Sequence, residues 1–314
     1  MTDGAVPPAV QPSAPPNDLP AERLHLRGGR GDVRLDPATA GWRYLSFAVL
    51  ELAAGDVRSF GQADHETAVV VLAGGGARVR HKRTSFELVG RASPFEALPT
   101  ALYLPAGFFG DRQPTIEAVP SVGGSPVTLA VASAPTSGRS DTARQPILIE
   151  PSDVRIEVRG AGNATRQINH IIAPDFPADR LEVVEVLTPS GNWSSWPPHK
   201  HDVDDMPREA VLEEVYAYRF RRPDAWGLQR LYRADRSRDF AWEVRSGDVV
   251  IVTDGYHPFV AAHGDDAYYL NALAGDRRTM ACSYDPDLDW VRGTWQNSAA
   301  DPRVPLVRAQ VPAG

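Results

Sequence analysis

PPHKHDVDDMPREAVLEEVYAYRF (Pro197–Phe220) holds two strand-like runs whose alternation decides how the second half of the chain folds. His199 and His201 are two apart, and residues i and i+2 of a strand point to one face. Glu214, Tyr216, Tyr218 and Phe220 then take alternate positions of a second run. One phase sends a carboxylate, two phenols and a phenyl ring inward together. The other carries Glu213, Val215, Ala217 and Arg219. Further on, GDVVIVTDGYH (Gly247–His257) reads as a turn, a buried strand and a second turn at Asp254-Gly255, with His257 just after it.

The same texture extends outward. Trp42–Leu52, Thr67–Gly74, Ala77–His81, Thr100–Gly107 and Pro126–Ala134 read as strands in the first half. ILIEP, QINHII, LEVVEVLTP, LQRLY, AWEVRS and AYYLNAL do so in the second. Many short strands with Gly, Pro and Asp between them predict an all-β sandwich or barrel. The one helix candidate is short, around Pro207–Leu212. LYLPAGFFG (Leu102–Gly110) and VIVTDGYHPF (Val250–Phe259) rhyme, each a strand, a tight Gly turn and an aromatic stretch, which suggests a duplicated barrel. The expected plan is a disordered Pro- and Ala-rich tail over 1–20, a first barrel over 21–134, a polar linker over 135–146, a second barrel over 147–300 and a C-terminal tail over 301–314.

Composition narrows the function. At 314 residues the chain is long enough for two cores. A net charge of −7 argues against coating nucleic acid or an anionic membrane, but not against binding one anionic small molecule. The single cysteine, Cys282, rules out an intrachain disulfide and has no nucleophile pattern around it. No run has the length of a membrane span, and the first residues lack the basic start and apolar run of a secretory signal, so a cytoplasmic protein is expected.

Three imidazoles and a carboxylate, His199, His201, Glu214 and His257, would suit one divalent first-row metal. An H-x-H alone is usually a solvated pair. Here it is followed by an inward Glu and a turn-anchored His, and that order resembles the two motifs of the cupin superfamily. The gap from His201 to Glu214 is longer than in most cupins, which leaves Glu213 and Glu209 as alternative ligands. The inward phase of EVYAY favours Glu214. The first half has His65, Glu66 and His81 but no H-x-H, and no His after its Gly turn, so its barrel is expected to lack a metal.

Longer stretches narrow the resemblance. Ala178–Asp202, Leu212–Phe220, Gly227–Asp235, Gly247–Gly264, Tyr268–Gly275 and Asp285–Trp290 are similar to the 5-deoxyglucuronate isomerases of bacterial inositol catabolism, relatives of the 5-keto-4-deoxyuronate isomerases. The resemblance implies two cupin-type jelly-roll barrels. It also implies one divalent metal, zinc or manganese ahead of the others, and conversion of 5-deoxy-D-glucuronate to 5-dehydro-2-deoxy-D-gluconate by aldose–ketose isomerisation. Tyr216 and Tyr218 become candidates for handling the proton, although the same rings suit a core. Gln229, Tyr232 and Asn271 are candidates for sugar hydroxyls. Arg166 is a candidate for the carboxylate, with Lys200 and Arg230 nearby in sequence. The partner is a small sugar acid, with homo-oligomerisation left open. A cupin dioxygenase and a non-catalytic sugar-binding bicupin are the alternative readings. No dinucleotide or phosphate-loop motif is present.

Overall fold

The runs of β-branched and aromatic residues become strands because both faces of most of them are covered. The computed structural model describes residues 18–29, 32–110, 112–119, 124–139 and 141–308. Within the first half, a six-stranded antiparallel sheet runs in the order Ile147–Ile149, Ala101–Leu104, His65–Gly74, Val127–Pro135, Ser46–Leu52, Val33–Leu35. A four-stranded sheet faces it: Val57–Ser59, Thr115–Ala118, Ala77–His81, Thr84–Leu88. The second half repeats this with a seven-stranded sheet in the order His25–Leu26, Val249–Val252, Glu213–Phe220, Ala267–Ala274, Leu181–Thr188, Arg166–Ile172, Arg155–Arg159. Its facing sheet is Trp193–Ser194, Phe259–Ala261, Gly227–Tyr232, Asp239–Val244. The expected all-β architecture is found.

The run at His65–Gly74 shows why it is apolar without alternation. Val69 and Val71 fill the interior of the first barrel, while Ala68, Val70 and Leu72 join the cluster shared with the second. A strand buried on both faces needs apolar residues in both phases. The large sheets of the two barrels therefore pack back to back.

Two strands cross between the halves. His25–Leu26, from the start of the chain, pairs with Val249–Val252 of the second barrel. Ile147–Ile149 pairs with Tyr103–Ala101 of the first. The expected limits of 21–134 and 147–300 therefore each misplace one edge strand. Both are too short to announce a partner, and pairing is a tertiary choice.

Reciprocal carboxylates hold the halves together. Glu66, fully buried, accepts backbone N–H bonds from Asp179 (2.7 Å), Arg180 (2.6 Å) and Leu181 (2.7 Å), and the Tyr103 hydroxyl at 2.6 Å. Glu213 accepts the N–H groups of Arg43 (2.6 Å), Tyr44 (3.0 Å) and Leu45 (2.7 Å). Because those three amides serve Glu213, the strand expected over Trp42–Leu52 begins only at Ser46. The Arg91 guanidinium and the Glu185 carboxylate, both buried, form an ion pair across the same interface.

Other expectations change. Pro207–Leu212 is not helical. Asp205 and Glu209 exchange backbone bonds in a tight turn (3.0 and 3.1 Å), and the Glu209 carboxylate folds back onto Lys200. The short helices lie at Ala21–Leu24, Pro37–Ala40 and Val291–Thr294. Of the expected tail 1–20, residues 1–17 lie outside the described residues. Leu19 packs on the core, and Asp18 accepts from Arg233 at 2.9 Å. The expected tail 301–314 is docked through Val307, which exchanges bonds with the Gln167 side chain at 2.7 and 3.1 Å. Residues 309–314 lie outside the described residues. No helix among the described residues is long and apolar enough to cross a membrane.

Removing either clasp should weaken the whole molecule. Glu66→Ala strands three amides and a hydroxyl in a dry interface and should cost about 3–4 kcal/mol, and Glu213→Ala, nearer to solvent, about 1–2 kcal/mol. Denaturant unfolding reads both values. Losses under about 0.5 kcal/mol in both variants would contradict the clasp.

Candidate metal centre

A strand presents successive side chains to opposite faces, so with Glu213 held at the interface Glu214 must face the second barrel's interior. It is 4% exposed there. Its Oε2 lies 2.8 Å from His201 Nε2 and 3.3 Å from His257 Nε2. Among the described residues, His201, Glu214 and His257 form one group whose donor atoms all lie within 4.8 Å of one another. His199 stands at its edge, its ring centre 4.7 Å from that of His257 and 6.3 Å from that of His201.

Two of the three imidazoles are aimed by the backbone. His201 Nδ1 lies 2.9 Å from the Leu212 carbonyl and His257 Nδ1 2.9 Å from the Gly255 carbonyl. As Nδ1–H donors to those carbonyls, both rings turn Nε2 towards Glu214. This is how proteins fix a metal-binding tautomer. Gly255 is required at its turn. Its φ is +79°, and a Cβ there would sit 2.5 Å from the Tyr232 carbonyl oxygen. Its N–H donates to Asp202 Oδ2 at 2.7 Å, tying the turn to the segment after His201.

The long gap before Glu214 does not disturb the group. Lys200 bonds Asp202 (2.6 Å) and Glu209 (2.8 Å), and Glu209 also accepts the N–H groups of Asp202 and Val203 at 2.8 and 2.9 Å. The insert is a closed loop, and Leu212 N–H returns to the His201 carbonyl at 3.0 Å. Glu209 and Glu213, the alternative ligands, are thus committed elsewhere.

The donor set fits a divalent cation. His257 Nε2 is buried and has no hydrogen-bond partner, despite its closeness to Glu214. Burial opposes charge on Glu214, but His201 and His257 outweigh it and hold the carboxyl at about 2. Burial, with the neighbouring His257 and His201, pushes His199 well below its usual value, leaving it neutral as a ligand must be. Burial also pulls His201 down, yet its bond to Glu214 raises it on balance. A cation at the position of that shared proton would face the same atoms.

His199, His201 and Glu214 line a cavity that Arg166, Tyr216 and Asn271 also line. Arg166 is 6% exposed and burial draws its pKa to about 10, so it stays cationic. The Tyr216 hydroxyl lies 2.9 Å from Ser195 Oγ, and burial raises its pKa far above the ordinary phenol value. Tyr218, Gln229 and Tyr232 do not line this cavity. Tyr218 donates its hydroxyl to Gln229 Oε1, and Gln229 Nε2 donates to the His257 carbonyl at 2.8 Å, so this pair braces His257 from behind. Tyr232 donates to Asp285 at 2.6 Å. Lys200 is neutralised within the insert, and Arg230 bonds Asp239 at 2.6 Å on the exposed side. Arg159, His170, Ser195, Tyr269 and Tyr284 line the cavity and escaped the sequence reading. His170 had a signal, since it shares the strand phase of Arg166 and Ile168.

The first barrel places other chemistry at the corresponding positions. Thr67 pairs with Leu104 as Glu214 pairs with Val252, and Phe109 follows Gly107 as His257 follows Gly255. Thr67 bonds Ser133 at 3.0 Å, and Phe109 is core. His65 is half-buried and bonds Asp64, and His81 packs on Phe108.

The KduI/IolB family profile matches residues 21–291. A 5-deoxy-glucuronate isomerase of Geobacillus kaustophilus is 42% identical over 82% of this chain and 90% of its own length. That of Bacillus subtilis is 38% identical over 79% and 88%. The crystal structure of an IolB-like protein from Salmonella typhimurium superposes with a TM-score of 0.77 at 35% identity, covering 86% of this chain and 99% of that one. An oxalate decarboxylase of Lactobacillus farciminis, at 12% identity and a TM-score of 0.54, shares the fold of two cupin barrels.

Metal analysis tests the ligand set. His257→Ala should lower metal affinity by more than the 10–100-fold typical of losing an outer-shell partner. Glu209→Gln and Glu213→Gln should keep about one metal per chain. Metal lost from Glu213→Gln but retained by Glu214→Gln would reassign the carboxylate.

Proposed function

The chain belongs to the KduI/IolB family, and we propose that it isomerises 5-deoxy-D-glucuronate to 5-dehydro-2-deoxy-D-gluconate, a step of myo-inositol breakdown. The observation that carries this reading is the Glu214 carboxylate set between two backbone-aimed imidazoles, in a cavity that also holds a buried arginine. The relatives named for this activity match over most of the chain.

His199, His201, Glu214 and His257 would hold one divalent ion, zinc or manganese by ligand type. When bound, the ion supplies Lewis acidity to the substrate's carbonyl and adjacent hydroxyl oxygens. The remaining tasks fall to the chain. Arg166 takes the carboxylate. Its Nη1 already donates to the Ala164 and Trp196 carbonyls, both at 3.1 Å, which fixes the guanidinium and leaves its other N–H groups for the anion. Tyr216, which keeps its proton at neutral pH, serves a sugar oxygen as a donor. Asn271 donates its amide N–H to the Val215 carbonyl at 3.1 Å, leaving Oδ1 as an acceptor for a hydroxyl. Apolar Val184, Val186 and Leu273 exclude water from the space between.

Proton NMR of the metal-loaded protein with 5-deoxy-D-glucuronate should show the 2-ketose product without oxygen or nicotinamide. No turnover of this aldose would reject the reading. Arg166→Gln should lower kcat/KM for the uronate about 10–100-fold, the worth of a charge-assisted pair, with metal content unchanged. An unchanged kcat/KM would move the carboxylate elsewhere.

A further inference from the structure

The isomerase reading gives Arg166 a task but leaves His170, on the same strand and in the same cavity lining, without one. The Arg166–Ile172 strand turns Arg166, Ile168 and His170 to the cavity in one phase. His170 is 7% exposed. Its Nε2 lies 2.9 Å from Glu157 Oε2 on the adjacent strand. Glu157 also accepts from Arg159 Nε at 2.7 Å and Nη2 at 3.0 Å. Burial opposes charge on Glu157, but the bonds from Arg159 and His170 prevail and bring its carboxyl to about 2. An ionised carboxylate can only accept, so His170 carries its proton on Nε2 and keeps a lone pair on Nδ1. That Nδ1 is buried and has no hydrogen-bond partner. Buried polar atoms are nearly always bonded, and this unbonded acceptor belongs to a residue of the cavity lining, where a ligand can supply the missing partner.

Other cavity groups are less suited to take a proton. Tyr216 and Tyr284 are phenols raised by burial, and burial raises the Cys282 thiol too. Arg159 and Arg166 are cations, and His199, His201 and Glu214 belong to the metal group. The sheet register puts His170 in one row with Val184, Asn271 and Tyr216 on the same sheet, three strand spacings, about 14 Å between backbones, from the strand that carries Glu214 and Tyr216. All four side chains of this row line the same cavity, so a small sugar acid bound there can reach from one end of the row to the other.

We propose that His170, oriented by Glu157, is the base that carries the proton between the two reacting carbons. The step rests on the isomerase reading. Nδ1 takes the proton of the hydroxyl-bearing C2, and the C2–H electrons form the C1–C2 double bond of the enediol. The imidazolium then returns that proton to C1, forming C1–H as the C2–O bond becomes a carbonyl. The hydroxyl proton of O2 ends on O1, and no electrons leave the substrate. Glu157 is a positioning residue that acts through His170.

The test uses the full-length, metal-loaded protein with 5-deoxy-D-glucuronate. If wild type fails to turn over, the isomerase reading falls and this inference with it. If wild type turns over, the inference is judged on its own variants. His170→Ala should lose about 10²–10⁴-fold in kcat, the usual contribution of a general base, with metal content and circular dichroism unchanged. Added imidazole should restore part of the turnover by filling the vacated space. His170→Gln, which can still bond Glu157 but is no base, should lose as much. Glu157→Gln should lower kcat with little change in KM. The inference is overturned if either folded His170 variant keeps wild-type kcat, or if His170→Ala is slow and imidazole does not revive it.

Discussion

A carboxylate that belongs to the interface sets the phase of the strand that builds the site. Glu213 collects three successive amides from the first barrel, and this pins the Glu213–Phe220 strand with one face to the interface. Alternation then leaves Glu214 and Tyr216 facing the cavity. A slip of one residue would bury Glu213 in the cavity and turn Glu214 to the interface. Glu66 performs the reciprocal task from the first barrel. The two clasps occupy related positions of the duplicated fold, each the residue before the Glu214 or Thr67 position. The same device therefore closes the molecule from both sides, and the two crossing edge strands reinforce it.

The barrels divide their labour at a few positions. Corresponding turns end in His257 in one barrel and Phe109 in the other, and corresponding inward positions carry Glu214 and Thr67. One barrel spends these positions on donors, the other on packing. His201 and His257 of the second barrel are held by bonds that leave one imidazole nitrogen each turned towards Glu214. Those bonds come from backbone carbonyls at Leu212 and Gly255. The insert between His201 and Glu214 is tolerated because Glu209 closes it internally and Leu212 resumes pairing with His201.

Much of this could be read from residue order. Period-two alternation in EVYAYRF, the i,i+2 spacing of His199 and His201, and the Gly turn before His257 are local facts. Strand geometry converts them into a shared face without knowledge of the rest. The resemblance added the sugar-acid chemistry. The apolar run at Thr67–Gly74 announced a strand, and the fold explained its lack of alternation by covering both faces.

The sequence alone determined the all-β class, the duplicated barrel and the strand face that carries Glu214 and Tyr216, because these follow from local periodicity and turn chemistry. Only tertiary structure decided which polar groups are spent. Tyr218 and Gln229 share the look of site residues but are consumed in bracing His257. Glu209 and Glu213 look like ligands but answer backbone amides far away in sequence or within the insert. His170 is one of four polar residues in RQINHII and stood out only when the fold gave one of its nitrogens to Glu157, left the other without a partner and placed the residue in the cavity lining. A polar side chain's role depends on which partners desolvation leaves it, and partners brought together from distant segments are not written in local order.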